Sequence, residues 1–226
     1  MFHLCLAIAA FLITHVVPSS TGIREVLVSK LGDKGYLVFY SVLSVLTLGW
    51  VIMAYSQAPK FEYIWLPGPG LRHLPMLIMP LAFILLAAGL LTKNPTAVGM
   101  EKVLGQPDAV RGMLRITRHP GQWSFALWAA VHVLANGDWA SLILFGGFFL
   151  LAAVGMVLID RKMAQRMPQE WQPFAAATSI IPFAAIVAGR NRLVLKEIGW
   201  QPVIVGLVLY VIMIGLHRHL FGVQPY

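Results

Sequence analysis

The chain has 226 residues, of which 58% are hydrophobic and 12% charged, with a net charge of +8. Soluble domains carry about a quarter charged residues, so the composition excludes a soluble globular class. The positive balance does not point to nucleic acid, because the cations sit in short stretches between long apolar blocks, where the positive-inside rule accounts for them. A single cysteine, Cys5, excludes an intrachain disulfide and any CxxC redox or metal pair.

Six apolar segments follow one another, over residues 2–17, 36–55, 75–91, 122–134, 139–159 and 202–216. About 20 apolar residues span the hydrocarbon core as a helix, which satisfies its own backbone there. The expected fold is therefore all-α: one polytopic membrane bundle of about six helices over residues 1–226, with no internal repeat. No basic stretch precedes the first block and no small-x-small cleavage site follows it, so it reads as a retained helix closed by His15 and Pro18. Pro80 predicts a kink in the third helix. The fourth is short for a span. Asn136-Gly137-Asp138 predicts a tight turn that makes helices four and five an antiparallel hairpin.

The loops after helices one, three and five hold 14 Lys and Arg, against Lys60, Arg72 and Arg218 on the other side. This asymmetry predicts both termini outside and those three loops in the cytoplasm of a bacterial cell, with the chain in its inner membrane. The long loop over 160–201 contains the apolar run Ser179-Ile180-Ile181-Pro182-Phe183-Ala184-Ala185-Ile186-Val187. It is too short to span and reads as a surface-lying or re-entrant segment under the bundle.

Three histidines stand where titratable groups are costly: His15 near the cytoplasmic end of helix one, His119 at the start of helix four, and His132 deep within it. An intramembrane histidine marks a functional site or a neutral imidazole bonded to a neighbouring helix. Neutral imidazole is also a haem-iron ligand, and a helical bundle can hold a porphyrin. No carboxylate precedes Asp160 within a helix, which argues against a carboxylate-bridged metal pair. A glycine-rich phosphate loop, a Gly-x-Ser-x-Gly elbow and HExxH are all missing. The hairpin returns Asp160 to the level of Arg118, so these two, 42 positions apart, are expected as neighbours in an interfacial ion pair or at the mouth of a site.

The segment Arg115-Ile116-Thr117-Arg118-His119-Pro120, with His132, Asp160-Arg161-Lys162, the run from Thr178 to Ile186, and Gly189-Arg190, resembles the NnrU family. Thr14-His15, Arg24, Leu31-Gly32 and Tyr36 agree with it, so the likeness covers nearly the whole chain. Bacterial members are associated with denitrification and nitric oxide metabolism. The family also includes a plastid zeta-carotene isomerase that carries haem b and isomerises one cis double bond under control of the iron's redox state. The resemblance implies haem b in this chain, with His15 and His132 as axial ligands, and a hydrophobic polyene as substrate. A further candidate histidine of that isomerase aligns near Leu151, which departs from the pattern. Helix length argues differently: His132 lies ~20 Å along its helix from His119, while His15 has the depth of His119, and two axial ligands must share a depth. The pairs His15/His132 and His15/His119 both stand. Arg118 and Asp160 are expected to shape the cytoplasmic mouth of the site. Two other readings remain. One is an isoprenylcysteine-type membrane methyltransferase, which shares Arg-His-Pro but continues differently at Gln122 and Ser124. The other is an assembly or electron-transfer subunit partnering a membrane reductase.

Overall fold

A computed structural model describes residues 1–97 and 99–225. Nine α-helices occur among them: α1 (Phe2–Ser20), α2 (Ile23–Gln57), α3 (Pro69–Leu91), α4 (Met113–Ile116), α5 (Pro120–Asn136), α6 (Trp139–Arg166), α7 (Pro168–Ala177), α8 (Ala184–Val187) and α9 (Gln201–Phe221). Four of them, α2, α3, α6 and α9, are long and apolar enough to cross a membrane. The all-α polytopic membrane bundle expected from the sequence stands. Helix α5, at 17 residues, measures roughly 25 Å against a hydrocarbon core of ~30 Å, so it is the short member.

The main packing pairs place the long helices in the order α2, α1, α6, α5, α3, α9. The core lies between α1, α2, α5 and α6, around Leu4, Ala7, Phe11, Val51, Ala129 and Phe145. Helix α9 is an edge and buries only Pro202 and Gly206. Lipid offers apolar side chains no incentive to associate, so close approach through small residues holds such helices together. A Cβ on Gly206 would stand 2.6 Å from Ile84 Cα, and one on Gly89 would stand 2.9 Å from the backbone nitrogen of Gly121.

The α5–α6 hairpin turns as expected. Gly137 takes a left-handed conformation at φ 74° and caps α5, and Asp138 caps α6 by accepting from the Ser141 amide at 2.9 Å and its hydroxyl at 2.7 Å. The break in helical backbone angles falls in α2 and not at the prolines of α3. Helix α3 runs through Pro75 and Pro80 as one helix, whereas α2 breaks at Gly32, with φ 70° and ψ 166°. Proline at position 80 cannot donate to the Met76 carbonyl one turn earlier. The Tyr210 hydroxyl of α9 donates to that carbonyl instead, at 3.0 Å, so a neighbouring helix satisfies the acceptor that proline strands.

The loops after α1, α3 and α6 meet at one end, the cation-rich end. There the run from Thr178 to Val187 neither spans nor forms one long helix. It turns, with Phe183 left-handed at φ 65°, and ends in the four-residue α8.

Candidate functional site

The cation-rich end is built on Thr117-Arg118-His119, the extended link between α4 and α5, where Pro120 opens α5 at a position that needs no amide hydrogen. Helix α6 runs two turns further than its apolar stretch, which carries Asp160 to this link. Arg118 grips the carboxylate with Nε at 3.0 and 3.2 Å and Nη2 at 2.7 Å. His119 adds Nε2 to Oδ1 at 2.8 Å. The pair is well sheltered, at 12% and 15% side-chain exposure, and the His119 side chain is wholly enclosed. Burial pushes the His119 pKa down, against the upward pull of its bond to Asp160. The neutral ring therefore carries its proton on Nε2, and Nδ1 is a buried lone pair with no hydrogen-bond partner among the described residues.

The same link reads the backbone of the run that begins at Thr178. The Arg118 amide donates to Ser179 O, while the Thr117 hydroxyl and the Trp123 indole both donate to Ile180 O at 2.8 Å. Arg118 also lies over the Trp171 ring, 5.5 Å from its centre. The last carbonyls of α7, which no helical partner satisfies, all find side-chain donors: Ala175 from Arg118, Ala176 and Thr178 from Arg190, and Ala177 from Asn191. Positive charge at a helix C-terminus also complements its dipole. Beside this clasp Arg115 holds Glu197 at 2.7 and 3.0 Å, and the Gly112 amide adds a third donor at 3.0 Å. The Arg115 bonds, with that amide, lower the Glu197 pKa to about 2.

The other two candidate histidines belong to a second, apolar layer. His15 Nδ1 stands 2.7 Å from the Phe11 carbonyl, and His132 Nδ1 stands 2.7 Å from the Trp128 carbonyl. A carbonyl only accepts, so each imidazole donates from Nδ1. That arrangement orients metal-ligating histidines and fixes their tautomer. The contact path between the two imidazoles runs through three rings. His15 packs on Phe11 at 4.2 Å between centres, Phe11 meets Phe148 at 5.3 Å, Phe148 meets Trp128 at 5.4 Å, and Trp128 meets His132 at 5.6 Å. Phe145 lies against His132 at 4.9 Å, and Tyr40 against His15 at 5.8 Å. Trp128 also walls an apolar cavity of about 170 Å³ between α3 and α5, lined by Met79, Phe83, Leu86, Ser124 and Phe125.

The predicted site residues thus fall into two groups. Arg118, Asp160 and His119 come together, and they are saturated by one another and by α7. His15 and His132 share an aromatic layer, with Phe148 in the position between them. These two imidazoles are the residues that would hold a haem iron, with three aromatic rings on the contact path between them. His119 has its Nε2 committed to Asp160, so a His15/His119 pairing would use the His119 Nδ1 lone pair. Sequence reasoning missed Glu197, Asn191, Trp123 and Phe148. Glu197 and Asn191 lie in a loop without periodicity, and Trp123 and Phe148 read as ordinary apolar helix positions.

Over 82 residues, 36% of this chain, the protein is 34% identical to 15-cis-zeta-carotene isomerase, chloroplastic, of Arabidopsis thaliana and 32% identical to its counterpart in Zea mays. The matched stretch is 22% of the length of each relative. No solved structure matches this chain. The model of the NnrU protein family matches residues 3–225, and the chain belongs to the NnrU family.

Proposed function

We propose that this protein is a membrane-embedded cis–trans isomerase of an extended polyene that binds haem b, which His15 and His132 would hold. The observation that carries the proposal is the matched orientation of these two side chains, each with Nδ1–H on its own helix's carbonyl. The similarity to two 15-cis-zeta-carotene isomerases supports the substrate class. Rotation about a double bond moves no proton and transfers no group. It needs no general acid or base, and the layer around His132 offers aromatic rings in their place. Bound haem would supply an iron centre able to act on a π-bond in one redox state and not in the other. The residues of this chain do the rest. Trp128 and the α3–α5 cavity give an apolar seat for part of a polyene beside His132. Phe148 holds the place between the imidazoles and must swing aside if both are to reach one iron.

The cation-rich end faces the cytoplasm in this reading, with both termini outside a bacterial inner membrane. Arg118 and Asp160 act as the clasp that fixes the ends of α5 and α6, and so the depth of His132. The denitrification role implied by family resemblance, and the alternative of a subunit partnering a membrane reductase, have no counterpart in the side-chain arrangement and are not part of the proposal. Methyl-donor binding is disfavoured, because Arg118 and Asp160 already satisfy each other.

Absorption spectroscopy of protein purified from haem-sufficient cells tests the cofactor, with a Soret band that shifts on dithionite reduction as the expected result. Vesicles loaded with 15-cis-zeta-carotene test the reaction, with loss of the 15-cis isomer followed chromatographically. Protein without a Soret band after haem reconstitution refutes the cofactor. Haem-loaded protein that leaves the 15-cis isomer unchanged refutes the activity.

A further inference from the structure

We propose that the α3–α5 cavity is an end-group subsite, which admits the open-chain end of a polyene from the lipid and refuses a ring-closed end. The inference deepens the isomerase reading and rests on it for the substrate. The cavity opens to the surface at hydrocarbon depth. Its lining residues Ser124 and Trp128 lie four and eight positions after Pro120, which is ~6–12 Å along the helix from the cation-rich end. Phe125 at its rim is 48% exposed, and Met79, Phe83 and Trp128 are partly exposed. Trp128 is the wall shared with the histidine layer, in ring contact with His132 at 5.6 Å. A polyene end held here therefore keeps the rest of the chain next to that layer.

Two small buried residues make the room, Ala82 of α3 and Ser124 of α5, set among large neighbours. Helix α3 cannot close onto them, because its backbone is already in contact on both sides. Gly89 meets Gly121 of α5, and Ile84 meets Gly206 of α9, each so close that a Cβ would clash. The cavity is thus preformed. Among the described residues no charged side chain lines it, which complements an uncharged hydrocarbon. A second hollow of the same volume, about 170 Å³, is lined by Gln106 and Glu170 and lies beside α7, outside the apolar spans, so it offers hydrocarbon no such seat. Size sets the selection. An apolar cavity of about 150 Å³ holds one benzene ring. At about 170 Å³ the α3–α5 cavity takes a single isoprene unit, about the size of benzene, but not a trimethylcyclohexenyl ring, roughly half as large again.

The test uses the whole protein in detergent with lycopene or β-carotene, isomeric hydrocarbons with equally long conjugated systems but open and ring-closed ends. Both are achiral, so circular dichroism in their visible bands reports protein-bound pigment alone. Lycopene should bind, and β-carotene should bind at least roughly tenfold more weakly, since one surplus methylene already costs an apolar pocket about that much. Ala82→Phe, which fills the cavity, should abolish the lycopene signal, and Phe125→Ala, which widens the rim, should raise the β-carotene signal. Val211→Phe, at an exposed position of α9, should change neither. In conversion of 15-cis-zeta-carotene, Ala82→Phe should act on KM more than on kcat. The subsite does not exist if the parent binds both pigments alike or neither, or if Ala82→Phe keeps the lycopene signal. An active parent with unchanged KM in Ala82→Phe overturns the subsite and leaves the isomerase reading intact. A parent that prefers lycopene but converts nothing overturns the isomerase reading and supports the subsite. If Ala82→Phe fails to fold, Ser124→Leu decides by the same signals.

Discussion

Asp160→Ala removes the one acceptor that Arg118 and His119 share, and its cost can be worked from the contacts. Four donor contacts of 2.7–3.2 Å end on this carboxylate, and the pair is largely out of solvent. Breaking a buried ion pair by removing one partner costs about 3–5 kcal/mol, because the other charge is left buried and uncompensated. Arg118 keeps Thr178 Oγ1 and the Ala175 carbonyl as acceptors, at 3.3 and 3.4 Å, so the lower end, about 3 kcal/mol, is expected. For a chain of this size that is a fall of roughly 6–12 °C in the unfolding midpoint. Asp160→Asn keeps one acceptor oxygen but turns an amide toward donors, and should cost less than the alanine. Replacing both partners, as in Arg118→Met with Asp160→Leu, should recover most of the loss, since an apolar pair leaves no orphan charge. Thermal unfolding in detergent, followed by far-ultraviolet circular dichroism, measures all three against the parent. The reasoning fails if Asp160→Ala lies within about 1 kcal/mol of the parent, a value typical of an exposed pair. It fails equally if the double apolar variant is worse than Asp160→Ala.

Glu197 has a folded pKa of about 2 against an ordinary value of 4.5, so the stability it contributes is complete above about pH 4.5 and is lost as pH falls towards 2. Acid titration of unfolding should therefore be steeper in the parent than in Glu197→Gln across that window, and equal slopes would refute the Arg115 clamp. Tyr210→Phe strands the Met76 carbonyl and should cost about 1–3 kcal/mol, read as a lowered unfolding midpoint. In Pro80→Ala, which restores the missing amide donor, the same Tyr210→Phe change should cost distinctly less. Gly206→Leu must push against Ile84 at a backbone distance that no rotamer relieves. Cysteine crosslinking between α3 and α9 should show the edge helix displaced, and an unchanged crosslinking pattern would refute the close packing.

Much of the fold was legible because its signals are local. Apolar runs of spanning length, the Asn136-Gly137-Asp138 turn and the Pro120 start each specify an element within a few residues. The meeting of Arg118 with Asp160 was also legible, since a hairpin returns its ends to one level whatever lies between them. The bond that serves the turn at Pro80 was not legible, for a physical reason. Proline removes a donor, but a hydroxyl from another helix can supply one, and sequence does not reveal that Tyr210 stands opposite Met76. Gly32, by contrast, adopts a backbone angle that a side chain would resist, and it lies in a polar stretch before residue 36 where the sequence predicted no helix to break. Glu197 was invisible because its partner Arg115 lies 82 positions away, and Asn191 because it reaches Ala177 across a loop with no period.

The depth argument and the family resemblance disagreed about His132, and the side chains suggest how the two can be reconciled. Helical side chains lean toward the N-terminus of their own helix. Helix α1 descends to the cation-rich end and α5 ascends from it, so His15 leans up one turn to the Phe11 carbonyl, and His132 leans down one turn to the Trp128 carbonyl. Each lean brings the imidazole about 5 Å toward the other, which narrows a backbone offset that the sequence alone makes prohibitive. What then separates them is a stack of rings, not helix length. This shifts the burden of the haem proposal onto Phe148. The most specific motif in the chain, the run from Thr178 to Ile186, lies elsewhere and serves as a strip of backbone acceptors for Thr117, Arg118 and Trp123. Its part is to hold the floor on which α5 stands. Loss of that clasp should therefore register first as lost stability, and as lost cofactor only through the displacement of His132.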